Sequence, residues 1–147
     1  MEEFLRINLS YLAPFLHTTQ PAPVRHSYLD LDALLKGKDF FILTTNQDTQ
    51  FVKLYPEEKV AEIQGDHRFF QCAACCTDDT WDAVKPVADM VAAMGDGTKI
   101  PTDLIPRCPH CVGEAFPWVR GYGNFLQGKK YEEQYAGPGL LTASFSI

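Results

Sequence analysis

Five cysteines fall into two short clusters, Cys72-Ala-Ala-Cys75-Cys76 and Cys108-Pro-His-Cys111. Pairs of thiols at such spacing suit one tetrahedral Zn²⁺, each pair supplying one edge while the long intervening loop lets the edges meet. Cys108 and Cys111 have the two-residue gap of a zinc knuckle. In the first cluster Cys72 can pair with Cys75 or with Cys76, because zinc–sulfur distances of about 2.3 Å are reachable from either. Buried structural thiols are the competing reading, and two knuckle-like pairs argue against it. His110 sits inside the second knuckle and reads as a bystander. Four thiolates leave no open coordination position, so the metal would be structural and not catalytic. One cysteine is spare on any pairing.

A second polar group points to chemistry. The apolar run Phe40-Phe41-Ile42-Leu43 leads into Thr44-Thr45-Asn46-Gln47-Asp48, and Val60-Ala61-Glu62-Ile63 leads into Gln64-Gly65-Asp66. Polar residues at the C-terminal ends of strands are where open α/β sheets place ligands. Taken alone, Asn46 and Asp48 are better explained as caps of a following helix.

The elements that must position these residues can be read coarsely. Residues 2–13 are apolar-rich and predict a helix stopped by Pro14. His17 to Pro23 is a turn or loop. Val24, Tyr28, Leu31 and Leu35 recur with helical spacing, predicting a helix with Pro23 in its first turn and Gly37 just past its end. Phe40 to Thr45 then predicts a strand buried on both faces, as in a parallel sheet. A short helix near Gln50 to Tyr55 and a second strand at Val60–Ile63 complete an α/β order. From Phe69 to Trp118, cysteine, proline and glycine dominate around one apolar stretch, Val87 to Met94, which predicts a metal module inserted into the α/β unit. The run 140–147 predicts a last strand.

At 147 residues the chain suits one domain, and its 46% apolar content is that of a globular protein. A net charge of −6 disfavours nucleic acid, which requires a basic face. No apolar run reaches the roughly 18 residues of a membrane span, and Met1-Glu2-Glu3 lacks the basic start of a signal peptide. A cytoplasmic location follows as the expectation, and five cysteines in a reducing compartment favour metal over disulfides.

Together these segments resemble the sirtuins. Thr44-Thr45-Asn46-Gln47-Asp48 is similar to that family's T-x-N-x-D segment at the end of a buried strand, and the cysteines follow a few residues later. Glu62-Ile63-Gln64-Gly65-Asp66, Phe70-Gln71-Cys72 and Ile100-Pro101-Thr102-Asp103-Leu104-Ile105-Pro106-Arg107-Cys108-Pro109 resemble the macrodomain-linked, class M branch. The likeness covers roughly residues 20–130. It implies a partial Rossmann-like, NAD-binding segment at 1–66, a zinc-binding module at 67–119, and a return to the Rossmann-like segment with a divergent tail at 120–147. It also implies Cys72, Cys76, Cys108 and Cys111 as the zinc ligands, since the first pair is spaced by three in that branch.

The cofactor implied is NAD, held by Thr45, Asn46, Asp48 and Gln64. Asn46 would orient the ribose or an attacking water, and Asp48 would bond the nicotinamide carboxamide. Sirtuin deacylases carry a histidine base where Gln64 stands; a glutamine amide can orient but cannot accept a proton near neutrality. The class M branch also has glutamine there and performs protein ADP-ribosylation, with Asn46, Gln64 and Arg120 at its catalytic positions. Arg120 would hold a diphosphate or acceptor carboxylate by paired hydrogen bonds; a solvated surface arginine is the plainer reading. His67 is disfavoured as a substitute base, because three residues beyond Gln64 it points elsewhere. The partners implied are a protein substrate of lipoyl-carrier type and a macrodomain, with no nucleic acid and no membrane.

Two parts of the family pattern are not found: an early strand with a G-A-G-x-S loop for the NAD diphosphate, and a late adenosine-binding stretch. The expectation is therefore a sirtuin fragment, poorly stable alone and weakly active or inactive. An NAD-dependent deacylase and a non-catalytic zinc-containing binding module are the alternatives.

Overall fold

A computed structural model describes residues 2–136; the strand expected at 140–147 lies outside the described residues. Helix α1 spans Glu2–Thr19, with Leu5, Leu9, Ala13 and Leu16 buried along one stripe. The stop expected at Pro14 does not occur. A proline inside a helix costs about 3 kcal/mol through its lost N–H and ring clash. Buried Ala13 and Leu16 straddle it, and burying one leucine alone is worth about 1.5–3 kcal/mol. Packing therefore carries the helix through.

Helix α2 spans His26–Leu35, so Pro23 and Val24 precede it rather than forming its first turn. It ends before Gly37, which takes a φ of +76° as expected. Its apolar stripe is half-buried: Val24, Tyr28, Leu31 and Leu35 are each partly covered, and no residue of α2 is fully buried.

Strand β1 (Ile42–Thr44), helix α3 (Phe51–Leu54) and strand β2 (Val60–Glu62) follow in the expected order. The strands pair in parallel, Ile42 with Val60, Leu43 with Ala61 and Thr44 with Glu62. Burial of β1 on both faces is not observed: Ile42 and Thr44 are buried, but Leu43 is 52% exposed. Among the described residues β2 is the strand's one neighbour. The strand also begins later than its apolar run, because Phe40 packs edge-on against Tyr55 at 5.1 Å. The chain is thus mixed α/β with a small parallel pair, and a fuller Rossmann-like sheet is not seen among the described residues.

The second sheet is antiparallel. Strand β3 (Gly65–Cys72) lies between β4 (Trp81–Asp82) and β5 (Ala115–Val119). Gly65 sits opposite Val119 and Cys72 opposite Ala115, with a register shift between Asp66 and Phe70. Helix α4 (Val84–Met94) contains the apolar stretch of the module. Leu5, Leu9, Ala13 and Leu16 of α1 share one core with Val87 and Met90 of α4 and Phe70 and Phe116 of the sheet. The last described helix, α5 (Lys129–Tyr135), returns to the parallel pair, where Gln134 Oε1 accepts from the Glu62 amide at 3.2 Å.

Candidate functional site

The four cysteines meet at the end of β3. Sγ atoms of Cys72, Cys76, Cys108 and Cys111 all lie within 4.8 Å of one another, with Cys72–Cys111 at 3.7 Å and Cys76–Cys108 at 3.5 Å. A tetrahedron with zinc–sulfur bonds of about 2.3 Å has edges of about 3.8 Å, so these separations suit a metal ion such as zinc. Cys72 arrives on β3 as Cys108 and Cys111 lead back into β5. The knuckle turn is closed by Cys108 N donating to Gly113 O at 2.8 Å and Val112 N to Cys108 O at 2.9 Å. The His110 amide donates to Cys108 Sγ at 3.4 Å.

Cys75 takes a φ of +48° and turns out of the cluster, its Sγ 3.9 Å from Asn124 O. The two readings of the first pair thus separate on geometry in favour of Cys76. His110 points its ring away, Nε2 lying 4.0 Å from Asp79. Burial works against ionising Cys108, but amides of Cys111 and His110 and the neighbouring thiols bring it down to about 6. Cys76 is driven the other way by hydrogen bonds with Cys72 and Cys111. Four sulfurs this close favour a common cation over four separate charges.

The other candidates lie at the C-terminal ends of β1 and β2. Because the strands are parallel and in register, Thr45, Asn46 and Asp48 leave one strand beside Gln64 leaving the other. Ile63 N donates to Thr44 O at 3.0 Å, and Gln47 Nε2 donates to Gln64 O at 3.1 Å. Arg120, just past β5, joins them: its amide donates to Gln64 O at 2.9 Å and its Nε to Ile63 O at 3.1 Å. Its guanidinium lies 4.5 Å from the centre of the Phe125 ring. The structure therefore brings Asn46, Asp48, Gln64 and Arg120 to one edge, with Thr45 and Asn46 exposed and Asp48 and Gln64 half-buried.

Three features of this edge were not read from the sequence. Tyr28 of α2 reaches across it, donating to Asp48 Oδ2 at 2.7 Å and accepting from Asn46 Nδ2 at 2.8 Å. Burial, then the Asp48 bond, holds its phenol above the ordinary range. Gln47, a spacer in the motif, is the residue that ties the two loops. Glu62 and Asp66 form a buried acid pair under the Gln64 turn, 2% and 0% exposed. Arg68 holds Asp66 at 2.6 Å and Glu57 at 3.5 Å. Burial first, then Asp66, pushes the Glu62 carboxyl up to about 9. The signal available for Asp66 and Arg68 was their two-residue spacing, which puts both on one face of a strand.

Gly65 sets this turn. It takes a φ of +87°, and a Cβ there would lie 2.0 Å from Trp118 O. Only glycine permits β3 to start against β5 so closely.

No protein-family model matches the chain. It is similar to the protein ADP-ribosyltransferase of Staphylococcus aureus (strain Mu50 / ATCC 700699), 40% identical over 90 residues. That match takes in 60% of this chain and 28% of the staphylococcal protein, so the chain spans well under half the length of the relative it matches. No described helix is long and apolar enough to cross a membrane.

Proposed function

We propose that the chain carries the zinc module and the nicotinamide-ribose side of a class M sirtuin-type, NAD-dependent protein ADP-ribosyltransferase. The observation that carries this reading is the edge formed by Asn46, Asp48, Gln64 and Arg120 at the ends of two in-register parallel strands. The similarity to a protein named as an ADP-ribosyltransferase supports it.

NAD, when bound, supplies a glycosidic bond whose cleavage exposes the ribose carbon to a nucleophile. The chain's own residues would hold and orient. Asp48 still has acceptor sites beyond its bonds from Tyr28 and the Gln50 amide, and would take a carboxamide N–H. Asn46, pinned through Tyr28, would orient the ribose. Gln64 would hydrogen-bond without taking a proton, which disfavours deacylation by a histidine-type route. Arg120 offers a charged fork beside it. By the same resemblance the acceptor is a protein of lipoyl-carrier type, with a macrodomain as a partner and the cytoplasm as the place.

Among the described residues no glycine-rich strand-to-helix turn faces this edge for the diphosphate, so transfer by this chain is expected to be slow. Labelled NAD and an acetyl-lysine peptide, offered side by side, test the reading. Slow protein labelling that disappears in Asn46→Ala, with no acyl release, is expected. Acyl release by the unaltered chain would overturn the transferase reading in favour of the deacylase. Neither activity, together with no NAD binding, would favour the binding module.

A further inference from the structure

Gln71 of β3 is 0% exposed, and its side chain takes no direct part in the edge described above. It grips a loop on both sides of one residue. Nε2 donates to Asn124 O at 2.6 Å, and Oε1 accepts from Leu126 N at 3.1 Å. A carbonyl only accepts and an amide N–H only donates, so the carboxamide can face only this way. Trp118 Nε1 donates to Leu126 O at 2.8 Å. Leu126 is thus fixed through both of its backbone groups.

Phe125, the residue between, is held in a slot. Its ring stacks on Trp118 with centres 5.5 Å apart and meets Tyr131 edge-on at 5.6 Å. A Cβ at Gly65 would come within 2.9 Å of Phe125 Cε2, so the ring lies against the turn that carries Gln64. The Arg120 guanidinium lies 4.5 Å from the centre of that ring, where a cation is attracted to it. Arg120 Nε donates to Ile63 O at 3.1 Å. Ring and carbonyl together hold the guanidinium. Among the described residues Arg120 pairs with no carboxylate, whereas Arg6, Arg68 and Arg107 each do. Nη1 and Nη2 are therefore the end left for an oxyanion. An arginine held in this way has already lost rotamer freedom that binding would otherwise cost.

We propose that Gln71 is a positioning residue for Arg120, acting through Phe125 so that Nη1 and Nη2 are offered to an oxyanion beside the Gln64 turn. That the oxyanion belongs to NAD or to an acceptor protein rests on the transferase reading; the placement of Arg120 by Gln71 does not.

The test follows the Arg120 Nε–H signal by ¹⁵N NMR in the full zinc-loaded chain. In the unaltered chain this proton should exchange slowly with water and stand apart from the other arginine signals, displaced by the Phe125 ring. The Gln71 side-chain amide protons should be protected likewise. Gln71→Met keeps the side chain's length but makes neither bond. It should speed Arg120 Nε–H exchange about fivefold, the worth of one net hydrogen bond, and return the signal toward that of free arginine. Phe125→Leu should do the same with the Trp118 indole signal unmoved, which keeps the test in force even where Gln71→Met does not fold. A merely structural Gln71 would lower stability and leave the Arg120 signal in place. That result, an unmoved Arg120 signal in Phe125→Leu, or freely exchanging Gln71 amide protons in the unaltered chain would each overturn the proposal. NAD titration then names the anion. If it is the NAD diphosphate, Gln71→Met and Arg120→Met each weaken binding, and the double variant loses no more than Arg120→Met. If it is an acceptor carboxylate, NAD binds all three equally and only protein labelling falls. Additive losses in the double variant would show Gln71 acting elsewhere and overturn the proposal. An unaltered chain that binds no NAD would overturn the transferase reading alone, since the Arg120 signal judges the placement without it.

Discussion

Glu62→Gln isolates the buried acid pair beneath the Gln64 turn. Burial and the neighbouring Asp66 push the Glu62 carboxyl up to about 9, against the opposing pull of Arg68 and Lys130. In the unfolded chain a glutamate titrates near pH 4.3. Between these values the folded chain keeps a proton that the unfolded chain has released. Glu62's contribution is therefore fully present below about pH 4.3 and shrinks as pH rises toward 9. One such proton is worth about 1.4 kcal/mol per pH unit, so moving from about pH 7 to about 8.5 costs about 2 kcal/mol. Glutamine keeps the shape and a donor toward Asp66 but has no proton to lose. Urea melts of both chains in zinc-containing buffer at the two pH values measure it. The natural chain should lose about 2 kcal/mol more than Glu62→Gln. Using the difference cancels tyrosine and cysteine titration common to both, and His67 lies below the window. Parallel loss in the two chains would refute the claim that Glu62 is protonated in the fold.

Other outcomes follow from single contacts. Cys76→Ser should lower zinc content well below one per chain by metal analysis, while Cys75→Ser should leave it unchanged; a chelator should unfold the module, since structural zinc supplies on the order of 10 kcal/mol. Gly65→Ala forces a Cβ to within 2.0 Å of Trp118 O at a φ of +87°, and should cost about 2 kcal/mol or more in a denaturant melt. Tyr28→Phe removes the bridge between Asn46 and Asp48 and should cost about 1 kcal/mol. It should also sharpen and shift the Asn46 side-chain amide signals as that group is freed.

The parallel pair and the cysteine cluster were legible because short-range pattern specifies them. Apolar runs ending in Thr44-Thr45-Asn46 and at Gln64-Gly65 mark strand ends, and paired cysteines mark a metal edge. What was missed depends on contacts remote in sequence. The Leu5–Leu16 stripe of α1 was obscured by Pro14, which a local rule reads as a stop. The choice of Cys76 was not missed: spacing alone leaves Cys75 and Cys76 open, the family resemblance implies Cys76, and the structure gathers Cys76 with the other three while Cys75 turns away at its positive φ. Tyr28 looked like one residue of an apolar stripe, and its hydroxyl finds Asn46 and Asp48 only because α2 lies against the β1 end. Leu43 was expected to be covered because its run is apolar, but sequence cannot supply the neighbour that would cover it.

The edge formed by Asn46, Asp48, Gln64 and Arg120 carries the proposed function, and a binding footprint tests it most directly. The zinc-loaded chain would be titrated with NAD and with deamido-NAD, whose nicotinate carboxylate would face the Asp48 carboxylate. NAD is expected to shift Asn46, Asp48, Gln64 and Arg120 together, with deamido-NAD at least about tenfold weaker because like charges meet at Asp48. Equal binding of the two, or shifts confined to other residues, would contradict the assignment of this edge to the nicotinamide and its ribose.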